Sequence, residues 1–343
     1  MTVSHEIENP FLDFPFRELK VCEAGIKSNL EFVNEHKLAE KLEDYRFFAK
    51  NLTSYAHKDM LGSSLPIGFM NMDYGMHEVE RDLAVSLLLA FYRGHDSLLD
   101  VNTLKPAFFL LRSALEGTQA CIYYYDEYLK IARNTSGTQD GLNCKPAGET
   151  IPPQMDKWLK GEEDTPRAQK LNKIFESGNF PELEKEFSFK ELISKHKRHL
   201  DNILHSKVRL PGGIPLNQRN LFEYYLSYYF AVITDIAVML AVFKPLNIIE
   251  LPIDEKFGGS APLILDDLHP GLFQKLIPQK LFAAIIKIAE QDVETQSLKE
   301  FVLSQPDLTK EEIDKSFDWL NELNGNPSPA LKEIKTEKGE MKQ

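Results

Sequence analysis

The chain of 343 residues lacks several features that would assign it quickly to a functional class. It has only three cysteines, Cys22, Cys121 and Cys144, which are odd in number and widely spaced. This pattern predicts neither a disulfide framework nor a zinc site, and it is typical of a reducing compartment. Basic residues are also in deficit, since 40 Lys and Arg oppose 52 Asp and Glu for a net charge of −12. The charge excludes a broadly basic nucleic-acid-binding surface but not a local basic patch.

Common catalytic signatures are missing as well. The sequence contains no phosphate-binding glycine loop followed by lysine, no GxGxxG, no GxSxG and no HExxH. These absences exclude most P-loop ATPases, dinucleotide-dependent dehydrogenases, serine hydrolases and zinc metalloproteases, and we therefore expect no cofactor. The N-terminal residues also lack the basic and then apolar segments of a signal peptide, so we expect a cytoplasmic protein.

What the sequence does contain is helical periodicity over most of its length, with no strand hairpin and no internal repeat. Hydrophobic residues make up 43% of the chain, which is enough for a sizeable core. We predict an all-α multi-helix bundle in four regions: an N-terminal arm and helix (1–35), a bundle core (36–245), a C-terminal helical extension (246–324) and a disordered tail (325–343). The predicted helices cover about 16–34, 37–57, 73–99, 104–133, 165–178, 187–208, 217–243, 278–290 and 308–323.

One segment, Tyr224 to Phe243, is long and apolar enough to span a membrane, and its only charge is Asp235. An acidic residue in the middle of a span is costly, so we predict a buried central helix and no membrane contact. A carboxylate in such a helix must be protonated or paired. We expect Asp235 to pair with Arg112 or Arg93; the alternative is that Asp235 orients His205.

The helix predicted over 187–208 carries the best candidate chemistry. Its apolar positions recur at three- and four-residue spacing and predict one buried stripe. The stripe comprises Phe189, Leu192, Ile193, His196, Leu200, Ile203 and Leu204. Arg198 and His205 are seven residues apart, so they lie within about 20° of each other and roughly opposite the stripe. They share a face that the helix does not need for its own core.

An arginine and a histidine on one face suit metal-independent cleavage of RNA. A histidine titrates near neutral pH, so His205 could accept the proton of a ribose 2′-hydroxyl or protonate the leaving 5′-oxygen. Arg198 could stabilise the charge on the transferring phosphoryl group. The simpler interpretation is a solvated face. A metal site remains a third alternative, with ligands drawn from His77, His95, Glu191, His196, His199, Asp201 and His205.

A second charged feature lies within the apolar helix predicted over 104–133. Arg112 and Glu116 are one turn apart and can pair with each other. We interpret them as a buried structural ion pair. The functional alternative is that Arg112 lines a pocket or reaches the helix over 187–208.

The order of these features resembles a known family. The segment FFLLRSALEGTQACIYYYDEY is followed by a tryptophan segment around Trp158, then by ELISKHKRHLDNILHSKV and an apolar helix. Over about residues 80–245 this order is similar to helical HEPN-like proteins, and more narrowly to bacterial members that pair an LLRSxxE helix with a helix ending in a Leu-His-Ser or Leu-His-Gly step.

The resemblance implies an all-α homodimer that cuts RNA with an R-x4-6-H motif where two subunits meet. Arg198 would bind phosphate, His205 would be the acid–base catalyst, and Arg112, Glu116, His199 and Asp235 would support the site. His199 stands where the family often has a small polar residue such as asparagine. A toxin-like role in phage defence or stress, with an operon-encoded protein partner, is also implied. Other members are non-catalytic, so a helical scaffold or protein-interaction module is the alternative function.

Overall fold

The computed structural model describes residues 23–53, 66–93, 104–136, 157–205, 218–248 and 270–296, apart from gaps at 24, 159, 161, 163–165 and 294. Of the described residues, 90% are helical and none lies in a strand, so the prediction of an all-α fold is confirmed. The helix predicted over 308–323 and the predicted disordered tail lie outside the described residues. The division of the chain into a core and a C-terminal extension stays a prediction.

Ten helices are present in the described part of the chain. In chain order they are α1 (25–35), α2 (Ala39–Lys50), α3 (Pro66–Arg93), α4 (Lys105–Ser136), α5 (Ala168–Leu171), α6 (Phe180–Phe187), α7 (Phe189–Leu204), α8 (Gln218–Phe243), α9 (Pro270–Leu276) and α10 (Gln279–Gln291). Short 3-10 turns over Asn172–Glu176 and Pro245–Ile248 follow α5 and α8.

The predicted boundaries of α4, α7, α8 and α10 agree with the structure to within a few residues, but other boundaries were wrong. α3 begins at Pro66, seven residues before the predicted N-cap Asp73, because a proline fits the first turn of a helix. The predicted second helix is interrupted after Lys50, and its last predicted residues, 54–57, lie outside the described residues. The helix predicted over 165–178 is only one α-turn and a 3-10 turn, and α6 was not predicted at all.

α8 lies at the centre of the bundle. Its Tyr225, Ile233 and Val238 side chains have no exposed surface, although they point in different directions around the helix. It runs antiparallel to α3, since Ser86 meets Tyr225 and Phe91 meets Phe222. The other contacts of α8 are with α1, α2, α4, α6, α7, α9 and α10.

The stretch Leu221–Phe243 is the one helix in the described part of the chain that could span a membrane by length and composition, with a mean hydropathy of 1.9. In the fold, 72% of that window is buried against other helices. Its hydrophobic surface is therefore largely satisfied by the bundle itself, as the sequence predicted for a buried central helix.

The closest helix packing joins α3 and α4, which form an antiparallel pair. Gly75 of α3 faces Cys121 of α4, and Val79 faces Gly117. A Cβ at position 75 would lie only 2.4 Å from the Cys121 sulfur, a distance that real Cβ atoms do not show. Trp158 covers the same spot and stacks on Tyr124 at a ring separation of 5.2 Å. Glycine at 75 therefore allows α3 and α4 to approach each other under the indole.

Gly75→Ala is expected to lower the free energy of unfolding by about 1–3 kcal/mol, since an extra methyl must displace the buried Cys121 side chain. Urea unfolding followed by circular dichroism measures this. Adding Cys121→Ala should recover part of the loss. Gly271→Ala is the control, because no atom within 4 Å meets a Cβ there. Equal unfolding midpoints for wild type and Gly75→Ala would contradict this packing argument.

Candidate functional site

Helix α7 packs against both α4 and α8. Besides its buried stripe it has a side that contacts α4, a side that contacts α8 and an outer face. Its buried stripe comprises Phe189, Ile193, Lys197, Leu200 and Ile203. Two predictions for this stripe were wrong. Leu192 is 38% exposed, and Lys197, a charged residue that was not predicted in the stripe, is only 8% exposed. The partly buried His196 and Leu204 lie at the edges of the stripe.

On one side of the stripe, α7 is held to α4 by a cluster of charged and polar side chains that we call the α4 clasp: Arg112, Glu116, Gln119, Lys197 and Asp201. The Lys197 ammonium donates to Gln119 Oε1 at 3.2 Å and lies 2.9 Å from Glu116 Oε1. Arg112 bonds to Glu116 at 3.2 Å through one terminal nitrogen and to Asp201 through the other. The predicted Arg112–Glu116 pair therefore forms. It is not fully buried, because the two side chains are 28% and 24% exposed.

The alternative in which Arg112 reaches the helix predicted over 187–208 is confirmed, since Arg112 bonds to Asp201. Sequence reasoning did not identify Asp201 or Lys197 as the partners on that helix, although a signal for them was present. Arg112 and Glu116 place a positive charge one turn before a negative one, and Lys197 and Asp201 do the same on α7. Two such pairs on antiparallel helices bring each positive charge opposite a negative one. This is the arrangement in the structure, where Arg112 meets Asp201 and Glu116 meets Lys197. The same order of charges on both segments therefore predicts that the two helices pack antiparallel.

On the other side of the stripe, α7 is held to α8 by a histidine–aspartate dyad. His196 Nδ1 lies 2.6 Å from Asp235 Oδ2, and Asp235 is only 1% exposed. The prediction that Asp235 pairs with Arg112 was wrong, because Arg112 belongs to the α4 clasp; the side chain of Arg93 lies outside the described residues. The described partner of Asp235 is His196, so the alternative in which Asp235 orients His205 is also wrong.

The dyad holds a proton more tightly than the separate side chains would. The hydrogen bond to Asp235, strengthened by the charge of that carboxylate, raises the pKa of His196 despite the opposing effect of partial burial. Complete burial raises the pKa of Asp235, although the nearby histidine opposes this. Both shifts mean that the folded chain keeps protons on this pair at a pH where the unfolded chain releases them.

The third side of α7 is its outer face, where the sequence placed Arg198 and His205. Both side chains are exposed, and neither side chain has a hydrogen bond or ion pair with another described residue. They lie about 10 Å apart along the helix axis. His205 is the C-cap, with its backbone N–H bonded to the Asp201 carbonyl at 2.9 Å. The outer face is therefore directly next to the α4 clasp.

His199 is also exposed, and its ring lies 6.4 Å from that of Tyr228 on α8. The structure thus brings Arg112 and Glu116 together with Asp201, next to the outer face of α7. Asp235 and His196 lie apart, across the buried stripe. The catalytic and supporting roles that the sequence assigned to these residues stay predictions.

A metal site formed by histidine, aspartate and glutamate residues was the third sequence alternative. Within the described ranges, no group of three or more such side chains is placed to hold a metal ion. His196 is bonded to Asp235 and Asp201 to Arg112, so these two predicted ligands are turned in different directions. His95 lies outside the described residues.

No protein-family model, no curated protein and no solved structure matches this chain. The function of the chain is therefore inferred from the geometry of α7 and its neighbours.

The stability of the fold should depend on pH through the dyad. Because the pKa of His196 in the folded chain lies above its ordinary value of 6.5, the dyad stabilises the fold fully below that pH. This stabilisation is lost as the pH rises through the raised pKa. The raised pKa of Asp235 acts in the same direction above its ordinary value of 3.8.

The free energy of unfolding of the wild type is therefore expected to fall as the pH rises above 6.5, the ordinary pKa of the histidine. The double variant His196→Gln/Asp235→Asn keeps a neutral hydrogen-bonded pair and should lose this part of the pH dependence. Urea unfolding across the pH range measures the slope. His199→Gln, an exposed histidine on the same helix, should retain the wild-type slope. An identical slope in the double variant would show that the dyad does not bind the proton.

Proposed function

We propose that this chain is a HEPN-like helical protein that acts on RNA through the outer face of α7, as a metal-independent endoribonuclease or an RNA-binding effector. The observation that carries the proposal is the pairing of Arg198 and His205 on one exposed helical face without a described intramolecular partner. An arginine and a histidine that the fold does not use are available to a ligand. Arginine can bind the phosphate groups of RNA, and histidine can transfer protons near neutral pH.

In the proposed reaction the ribose 2′-oxygen attacks the adjacent phosphorus, and the bond from phosphorus to the 5′-oxygen breaks. His205 accepts the 2′-hydroxyl proton or, in the other subunit of a homodimer, donates a proton to the leaving 5′-oxygen. Arg198 donates to the phosphoryl oxygens as their charge increases. The products are a 2′,3′-cyclic phosphate and a 5′-hydroxyl, and no step uses a metal ion.

The α4 clasp supports this site by fixing the position of α7. Glu116 accepts from Lys197, while Asp201 accepts from Arg112. Asp201 also binds the backbone N–H of His205 through its own carbonyl. These contacts tie the end of α7, and with it His205, to α4. Arg112 and Glu116 are therefore positioning residues in this proposal.

Cleavage of a mixed tRNA and mRNA pool by the purified chain in EDTA tests the proposal. His205→Ala and Arg198→Ala are each expected to reduce the rate by at least about 100-fold, the usual contribution of an acid–base group or a phosphate-binding donor. Analysis of the product ends should show cyclic phosphates. Lys195→Ala is the matched control, because it removes an exposed positive charge from the same helix and should keep most of the activity. Equal cleavage by wild type and His205→Ala would contradict the assignment.

A non-catalytic scaffold is the second candidate, and the charge distribution favours it. The chain has a net charge of −12, and Lys197 is turned inward to Glu116. The exposed cations left in the basic run of α7 are therefore Lys195 and Arg198. In this candidate the outer face of α7 binds a second copy of the chain or an operon-encoded protein. Sedimentation of wild type and Arg198→Glu distinguishes the two: loss of a dimer without any cleavage activity in the wild type would favour the scaffold.

A further inference from the structure

A separate cavity lies on the other side of the bundle, away from α7. It has a volume of about 490 Å³, is open to solvent on one side and is lined by α1, α2 and α3, with α8 contributing to its base. This volume is within the range of small-molecule sites, which is about 300–1,000 Å³. Its walls are mainly apolar and include the buried side chains of Val33, Leu42 and Leu87. No residue of α7 lines it.

The side chain that distinguishes this cavity from a packing defect is Tyr229 of α8. Tyr229 lines the cavity and is 1% exposed, yet its hydroxyl has no hydrogen-bond partner among the described residues. Two other buried tyrosines do have hydrogen-bond partners: the Tyr225 hydroxyl lies 2.7 Å from Ser86 Oγ, and the Tyr45 hydroxyl donates to the Leu276 carbonyl. This hydroxyl is not one of the fully buried polar atoms that lack a partner in the described part of the chain. It therefore keeps some accessible surface at the cavity wall, where its O–H is free to donate to a ligand.

The charged residues around the cavity do not call for a charged ligand. Glu43 and Arg46 bond to each other twice, at 2.6 and 2.9 Å. Glu80 accepts from the backbone N–H of Thr53 at 2.7 Å. The lining thus contains two acidic residues, Glu43 and Glu80, and two basic residues, Arg46 and Lys50, so its net charge is zero. Burial raises the pKa of Tyr229, so its hydroxyl stays protonated and neutral at physiological pH.

The mouth of the cavity carries the exposed Glu43–Arg46 pair of α2 and two exposed leucines of α1 and α3. Leu30 of α1 is 48% exposed and Leu88 of α3 is 52% exposed, and both belong to the lining. Large exposed leucines beside an apolar cavity extend its surface outward. A ligand can therefore make apolar contact from the entrance to Tyr229.

We propose that this cavity is a binding site for a small, uncharged, largely apolar molecule that carries one hydrogen-bond acceptor. The apolar walls take up the body of the ligand, and the Tyr229 hydroxyl donates to its acceptor. The site is independent of the outer face of α7, so it stands whether or not the chain acts on RNA.

Prodan is a suitable probe, because it is an uncharged naphthalene with one ketone acceptor, and its emission reports both an apolar environment and a hydrogen bond to the ketone. Titration of prodan with the full chain is expected to give saturable, one-site binding with blue-shifted emission. In Tyr229→Phe the affinity should fall by about three- to tenfold, as expected for one hydrogen bond. Its bound emission should shift further to the blue, because the ketone loses its donor.

Two variants at neighbouring positions of α3 test whether the probe occupies this cavity. Ala84 is exposed and lines the cavity, so Ala84→Phe should fill it without disturbing the core and weaken binding at least about tenfold. Val85 is 38% exposed and does not line the cavity, so Val85→Phe should bind prodan as the wild type does. Absence of saturable binding, or wild-type affinity and emission in both Ala84→Phe and Tyr229→Phe, would overturn the proposal.

Discussion

The fold depends on the burial of one helix. From Ile236 to Val242 α8 is buried on all sides, and such an apolar segment is stable in water only if other helices cover it. Eight helices supply that cover, and each carries its apolar side toward α8 or toward a helix that packs on it. The close approach of α3 and α4, which Gly75 permits, completes one wall of this cover. The segment that resembles a membrane span by composition is thus the centre of the bundle.

The same burial determines where α7 lies. Asp235 is the only charge in the apolar stretch of α8, and an unpaired carboxylate in the core would be strongly destabilising. His196 satisfies it, which fixes the rotation of α7 about its own axis. The α4 clasp then fixes its position from the other side. With both edges of the buried stripe held, Arg198 and His205 must point outward. The exposure of the arginine and the histidine is thus a consequence of the pairing of Asp235 with His196 in the core.

The two candidate sites have opposite physical character and use different parts of the fold. The outer face of α7 is polar and exposed, and its side chains have no described partner, which suits a large polar ligand such as RNA or another protein. The cavity beside Tyr229 is concave and mainly apolar, which suits a small uncharged molecule. α8 connects them: Asp235 orients α7, and Tyr229, less than two turns earlier on the same helix, closes the base of the cavity. A ligand in the cavity and a ligand on α7 would therefore both contact elements that α8 supports.

The sequence by itself determined the helical class, the extent of α4, α7 and α8, and the shared face of Arg198 and His205. These properties depend on the 3.6-residue period, which is local information. It did not determine where α3 begins or that α6 forms, since short helices and helix starts depend on tertiary contacts more than on propensity. Only the tertiary structure decided the partners of Asp235 and Lys197. Which side chains meet depends on how helices distant in sequence are rotated and docked. Only the tertiary structure decided the cavity at Tyr229 as well, because four helices line it and no single segment of the sequence contains all its lining residues.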